Sequence, residues 1–268
     1  MIIHNIESLA HPGVEVYSSL TDTRMRDCSE KERGIFIAES PKVIKRALAA
    51  GIKPISLLCE RKHIEGDAAE VISIIDSIDP SLPLFTGERG VLQNLTGYKL
   101  TRGVLCAMVR PEPIDASELL SGARRVAVLE EISDAVNIGA IIRSAAALDI
   151  DAVIIDSGSC HPLNRRAVRV SMGNVFLIPW LVCDNPVSLL HEHGFKCAAL
   201  ALRDDNVSVG DPVLREEPRL AIVLGNEGDG LRRATIERCD YCVKIPMRPG
   251  VDSLNVAAAA AVAFWQLG

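Results

Sequence analysis

Apolar runs of strand length alternate with amphipathic stretches along most of this chain. In a first block, Ile35–Ala38, Ile55–Cys59, Leu84–Thr86 and Gly103–Val109 read as buried strands. Ser40 and Pro41 open a helix whose Val43, Ile44, Ala47 and Leu48 share one face, and Gly51 closes it. Ala68–Asp76 reads as a further helix and Val91–Leu95 as a helical turn. Short strands between short helices predict a small α/β sandwich. Arg110–Ser117, with two prolines and several turn formers, reads as a linker. The domains expected are residues 1–113 and 114–268.

The second block continues the alternation. Its strand candidates are Val126–Leu129, Ala152–Ile155, Val175–Ile178, Ala198–Leu202, Ala221–Leu224 and Val243–Ile245. Its helix candidates are Asn137–Leu148, Pro186–His191, Leu231–Arg238 and Ser253–Gln266. Buried strands separated by amphipathic helices predict a parallel sheet covered on both faces. Two junctions carry small residues. The run ending at Leu224 breaks at Gly225, and Gly225, Gly228 and Gly230 let the backbone turn sharply and approach a ligand. The run ending at Ile245 stops at Pro246, a Pro249-Gly250 turn follows, and Asp252 or Ser253 is expected to cap the alanine-rich last helix. Both junctions fall at the carboxyl ends of parallel strands, where ligands bind in such sheets. The last helix has no charged face and is expected to be buried nearly all round.

Composition narrows the classes. With 48% hydrophobic and 24% charged residues, the chain reads as a soluble globular protein. A net charge of −6 argues against a broad electrostatic grip on nucleic acid but permits a local basic patch. The start, M-I-I-H-N-I-E-S, has no basic region ahead of an apolar core, and the longest apolar stretch, Val256–Trp265, is too short to span a bilayer. A cytoplasmic protein without membrane association is expected. The eight cysteines are scattered and read as reduced thiols. Cys239-Asp-Tyr-Cys242 is a lone C-x-x-C with no second pair and no histidine near it in sequence, so it reads as packing rather than a metal or redox site. His191 and His193 read as a solvated helix terminus. After the first strand of the second block comes E-E-I-S-D-A-V-N-I-G-A rather than G-x-G-x-x-G, which disfavours a nucleotide-dependent oxidoreductase and an ordinary Rossmann-type methyltransferase.

Three stretches carry a resemblance. D-A-V-N-I-G-A-I-I-R-S (Asp134–Ser144) is similar to N-x-G-x-x-x-R-[ST]. I-V-L-G-N-E-G-D-G-L (Ile222–Leu231) is similar to G-x-E-x-x-G-L, and I-P-M-R-P-G-V-D-S-L-N-V-A (Ile245–Ala257) to I-P-M-x-G-x-x-x-S-L-N-V with one residue more in the turn. These are, in order, the three motifs of the SpoU (TrmH-like) RNA ribose 2'-O-methyltransferases of the SPOUT superfamily. The family often has proline where this chain has Ala135. The resemblance implies a carboxy-terminal SPOUT α/β domain with a parallel sheet and a deep trefoil knot. F-I-A-E-S-P-K-V-I-K-R-A-L (Phe36–Leu48) resembles the family's small L30e-like α/β extension, which binds the RNA substrate. The implied activity is S-adenosylmethionine-dependent 2'-O-methylation of a structured RNA, with ribosomal RNA favoured over transfer RNA. The alternative is a non-catalytic RNA-binding protein that keeps the fold.

Methyl transfer to a ribose hydroxyl needs an in-line donor, loss of the hydroxyl proton, a fixed phosphate-ribose and exclusion of water. Asn137 sits near the start of a helix and Arg143 nearly two turns on. Arginine is a poor base but can fix a phosphate and favour an alkoxide; the family treats it either as the base or as the group that activates the hydroxyl. On composition alone it would be a surface arginine, and Asn137 a helix cap. Glu227 could orient Arg143 or the substrate, or be an exposed loop carboxylate. Ser253 and Asn255 could hold ribose or phosphate, or cap the last helix. By resemblance, Leu224, Gly225, Ile245, Met247 and Leu254 hold the cofactor, which supplies the methyl group without a metal. Arg165, Arg166 and Arg169, in C-H-P-L-N-R-R-A-V-R-V-S-M-G-N-V-F, are the candidate phosphate patch. A homodimer through the carboxy-terminal domain is implied as well, and the apolar last helix accords with it.

Overall fold

In a computed structural model, residues 1–8, 11–17, 34–96, 103–203, 206–226, 228–250 and 253–268 are described. The chain forms two compact units, Met1–Glu112 with Leu163–Phe176, and Pro113–Pro162 with Leu177–Gly268. The segment Leu163–Phe176, part of the second block by sequence, therefore packs with the first unit.

The first unit is built on a five-stranded sheet. Its strands are β1 (Ile2–Ile6), β2 (Ile35–Glu39), β3 (Pro54–Glu60), β4 (Pro83–Gly87) and β5 (Val104–Val109). Their order is β1-β4-β3-β5-β2, with β1, β4 and β3 parallel and β5 antiparallel to both β3 and β2. Helices α1 (Pro41–Ala49), α2 (Ala69–Ile78) and α3 (Arg89–Thr96) connect the strands. β1 escaped the sequence reading because its exposed Ile2 and Ile3 break the buried-strand pattern. Ser40, which opens α1, makes no side-chain cap and takes φ 92 and ψ 148, a region that almost only glycine occupies.

The second unit carries seven parallel strands. These are β6 (Arg125–Leu129), β7 (Ala152–Asp156), β8 (Trp180–Cys183), β9 (Lys196–Leu200), β10 (Val207–Ser208), β11 (Leu220–Leu224) and β12 (Tyr241–Lys244). The order is β10-β12-β9-β11-β6-β7-β8. From β6 the chain runs outward through β7 to β8, crosses to β9, and only later places β11 between β9 and β6. Described helices of the full chain continue as α4 (Ala116–Leu120), α5 (Ala135–Ala145), α6 (Arg165–Val170, in the first unit), α7 (Pro186–Glu192), α8 (Pro212–Glu216), α9 (Arg233–Arg238) and α10 (Val256–Leu267). Val126, Val128, Ile154, Ala199, Ala221 and Val223 form part of the core under the sheet.

Several expectations need correction. Val175–Ile178 is not a strand. Met172 and Gly173 both take positive φ, which turns the chain out of an extended path; Asn174–Phe176 forms one 3-10 turn, and the edge strand begins at Trp180. The linker stops short of Ser117, because Asp115 caps α4 by accepting from Ser117 N at 2.8 Å. The cap of α10 is Asn255, whose Oδ1 accepts from Ala257 N at 3.0 Å and Ala258 N at 3.3 Å; Asp252 lies outside the described residues. Nor is α10 buried all round. Its Val256, Ala260, Ala263, Phe264 and Leu267 are buried, at the spacing of one helix face, and the helix packs on α5. Val262 and Trp265 are 41% and 76% exposed, so position relative to α5, not composition, sets burial.

Arg125 fastens these elements at the amino end of β6. It is 7% exposed, and its guanidinium donates to the carbonyls of Leu267 at 2.6 Å, Glu217 at 3.0 Å and Arg215 at 3.0 Å.

Ser40→Gly is expected to stabilise the chain by about 1 kcal/mol, since relief of a strained backbone exceeds the added entropy of an unfolded glycine. Thermal unfolding of the two proteins, read as a rise in Tm, checks this.

Candidate functional site

The pairing of β11 with β6 sets the geometry. Leu224 is in register with Leu129, and Glu130 N donates to Leu224 O at 2.9 Å. Gly225 and Glu130 therefore leave the sheet side by side at its carboxyl edge. β12 runs parallel on the other side of β9, so Ile245 leaves at the same edge. Gly225 has to be glycine: a Cβ there would lie 2.4 Å from Leu231 N and 2.5 Å from Gly230 C. The turn closes too tightly on itself for any side chain.

That turn is tied to the chain after β6. Asn226 Nδ2 donates to Glu131 O at 2.8 Å, and its Oδ1 accepts from Gly228 N at 2.7 Å and Asp229 N at 3.2 Å. Glu130, 3% exposed, accepts from Arg232 N at 2.9 Å, from Arg232 Nη2 at 2.8 Å and from Thr235 Oγ1 at 2.5 Å. Burial alone would raise the Glu130 carboxyl, but these bonds from Arg232 and Thr235 hold it below the ordinary carboxylate value. Asp156, at the end of β7, accepts from Glu131 N at 3.0 Å and from Ser159 Oγ at 2.6 Å. Sequence reasoning passed over Glu130, Asn226 and Arg232. The available signal was a carboxylate directly after the apolar run Val126–Leu129, since such a group is buried only when paired.

α5 begins where Asp134 Oδ1 accepts from Val136 N at 2.9 Å. Its Asn137 is 8% exposed, and Asn255 Nδ2 donates to Asn137 Oδ1 at 3.1 Å across 118 positions of sequence. Two of the proposed site residues are thereby brought into contact. Arg143 is six positions further along α5, which at 3.6 residues per turn sets it about 120° around the axis from Asn137. It is exposed and makes no hydrogen bond or ion pair among the described residues. Ser253 is exposed, Leu224 is buried, Ile245 and Met247 are half-buried, and Leu254 is 42% exposed. Glu227 lies outside the described residues. Of the three arginines, all on α6 in the first unit, Arg166 is exposed, Arg165 is half-buried, and Arg169 Nη1 lies 3.5 Å from Glu39 Oε1.

Elsewhere in the second unit, His191 is not simply solvated. Its Nε2 lies 3.0 Å from Asp240 Oδ2, and Asp240 also accepts from Lys196 Nζ at 2.7 Å and Cys197 N at 2.9 Å. His191, Cys197 and Asp240 thus come together although far apart in sequence, but the Lys196 ammonium already supplies the cation that Asp240 would otherwise seek. Burial pushes the Cys197 and Cys239 thiols up to about 12, which makes them poor nucleophiles.

A family model described as "SpoU rRNA Methylase family" matches residues 124–265. An uncharacterized tRNA/rRNA methyltransferase of Mycobacterium tuberculosis is 36% identical over 260 residues, 95% of this chain and 88% of the relative. The 23S rRNA (guanosine(2553)-2'-O)-methyltransferase of Bacillus subtilis is 29% identical over 228 residues, 79% of this chain and 88% of that one. Among solved structures, an AdoMet-bound rRNA methyltransferase from Sinorhizobium meliloti superposes with a TM-score of 0.81 at 23% identity, covering 99% of this chain and 97% of the other. That likeness fixes the fold.

Asn255→Ala is expected to cost about 2 kcal/mol, as the lost cap and the lost bond to Asn137 combine. Asn255→Asp keeps the cap oxygen but turns a carboxylate toward Asn137 Oδ1, and should recover only part of that loss. Denaturant unfolding of the three proteins measures both differences.

Proposed function

We propose that this chain, which belongs to the SpoU rRNA Methylase family, transfers a methyl group from S-adenosylmethionine to a ribose 2'-hydroxyl of a structured RNA. That it is an RNA methyltransferase follows from the family; the ribose hydroxyl and the preference for ribosomal over transfer RNA are our reading. The Bacillus subtilis relative, named as a 23S rRNA 2'-O-methyltransferase, supports both. The observation that carries the reading is the bond from Asn255 to Asn137, which joins the third motif to the first.

The carboxyl edge of the sheet suits the cofactor. Ile245, Met247 and Leu254 offer partly open apolar surface without charge, as a purine requires. The turn after Leu224 opens on Gly225, where no side chain stands between main chain and ligand. We assign Leu224, Gly225, Ile245, Met247 and Leu254 to the cofactor, which when bound supplies an electrophilic methyl group. Arg143, exposed and without a partner among the described residues, is assigned to the RNA: it holds a phosphate and favours loss of the 2'-hydroxyl proton. Asn137 and Asn255 fix each other and so fix the start of both helices. Ser253, exposed beside Asn255, is assigned to the ribose or phosphate, and Glu227 to orienting Arg143. Arg166, with Arg165 and Arg169, is assigned to phosphate contacts.

The resemblance also supports a trefoil-knotted second domain and an L30e-like first one, with a division near residue 113. No helix among the described residues is long and apolar enough to cross a membrane, and an RNA substrate agrees with a cytoplasmic setting. We further propose a homodimer through the second domain, in which a second copy covers Val262 and Trp265.

Calorimetry with S-adenosylhomocysteine tests the cofactor site; no binding at millimolar ligand would overturn it. Arg143→Ala should abolish methyl transfer to the cognate RNA while leaving S-adenosylhomocysteine affinity within a few-fold. RNA binding without any transfer by the wild-type chain would instead support the non-catalytic alternative. Light scattering of the full chain should give twice the monomer mass at micromolar concentration, and Trp265→Glu should halve it. A monomeric wild type removes the dimer.

A further inference from the structure

Glu130 and Arg232 lie outside the stretches assigned to cofactor and RNA, yet they form an ion pair near the carboxyl edge whose carboxylate is buried and whose guanidinium is half-exposed. Glu130 receives three donors, two from Arg232 and one from Thr235. Its neighbour Glu131 receives Asn226 through its carbonyl. The turn that follows Gly225 is thus pinned at its start by Asn226 and at its end by Arg232. Both pins land on consecutive residues, Glu130 and Glu131, directly after β6. Arg232 also faces Glu131 Oε1 at 3.9 Å and Asp156 Oδ2 at 3.8 Å, so one guanidinium stands before three carboxylates. Its side chain is 49% exposed, whereas that of Glu130 is 5% exposed.

We propose that the Glu130–Arg232 pair, with Thr235 and Asn226, is a positioning clamp that holds the turn after Gly225 in its cofactor-binding shape. Three physical points carry this. A buried carboxylate is retained only when its partners are supplied, so Glu130 imposes a place on Arg232 and Thr235. Gly225 has room for no side chain in this turn, because a Cβ there would lie 2.4 Å from Leu231 N and 2.5 Å from Gly230 C, so the turn keeps its close approach only while it holds this shape. The amides of Gly228 and Asp229 are spent on Asn226 Oδ1, so the shape of the turn depends on the residue that is itself anchored to Glu131. Neither Glu130 nor Arg232 needs to touch the cofactor; each acts by fixing main chain. The assignment to the cofactor rests on the site proposed above, while the clamp itself does not.

The test uses the full-length chain and two readouts. Arg232→Met removes the side-chain bond at a half-exposed position but leaves the bond from Arg232 N to Glu130, and its far-UV circular dichroism should match the wild type. Arg233→Ala serves as the neighbouring control, since Arg233 is 92% exposed and its partner among the described residues is Glu237. Without ligand, amide hydrogen exchange at Gly228 and Asp229 should accelerate in Arg232→Met and stay at the wild-type rate in Arg233→Ala. S-adenosylhomocysteine should bind Arg232→Met about tenfold more weakly, the loss expected for charge-assisted hydrogen bonds. Glu130→Gln with Arg232→Met should be no weaker than the worse single variant. Unchanged exchange in Arg232→Met overturns the clamp. Faster exchange with unaltered affinity overturns its role toward the cofactor and leaves it a structural tie. Failure of the wild type to bind S-adenosylhomocysteine overturns the cofactor site, and with it that role, whatever exchange shows.

Discussion

The insertion of β11 between β9 and β6 is the constraint on which the carboxyl edge depends. Parallel pairing in register, Leu224 opposite Leu129, brings the glycine turn beside the residues that follow β6. Neither element contains the information alone. Ladder hydrogen bonds locate the turn, and side chains then lock it: Asn226 on one side, Glu130 with Arg232 on the other. A shift of one residue in register would send every side chain of β11 to the opposite face of the sheet and separate these partners.

A second tie works between helices. Asn255 satisfies the first amides of α10 with its oxygen and spends its amide on Asn137. One side chain thereby ends a loop, starts a helix and reaches another helix. Asparagine alone among the common capping residues offers an acceptor and two donors on one short stem, which aspartate and serine do not.

The strands of the second unit were largely legible in the sequence, because strands buried on both faces are simply apolar. β6, β7, β9, β11 and β12 fall within a residue or two of their expected spans. What failed was decided by tertiary context. Val175 and Ile178 are apolar because they are buried in a turn. β1 was invisible because Ile2 and Ile3 face outward, and the two-residue β10 is too short for any periodicity. For the site, local motifs flagged Asn137, Gly225 and Asn255, and the structure brings Asn137 and Asn255 together. Glu130 could not be recognised as a partner of Arg232, since 102 positions separate them and no short-range pattern links them. Arg143 and Asn137 occupy one helix, yet one is solvent-facing and the other enclosed, a distinction that spacing along the sequence hints at and packing decides.

The anchoring of Arg125 bears on the order in which the protein can be made. β6 is the first strand of its sheet to leave the ribosome, but its arginine waits for carbonyls from residues 215, 217 and 267. Until the last helix has emerged, that cation has no enclosed place to go, and β6 has no β11 beside it. The first unit is in a similar position, because it includes residues 163–176. Completion of both units therefore falls late in synthesis, through contacts of long sequence separation that are slow to find.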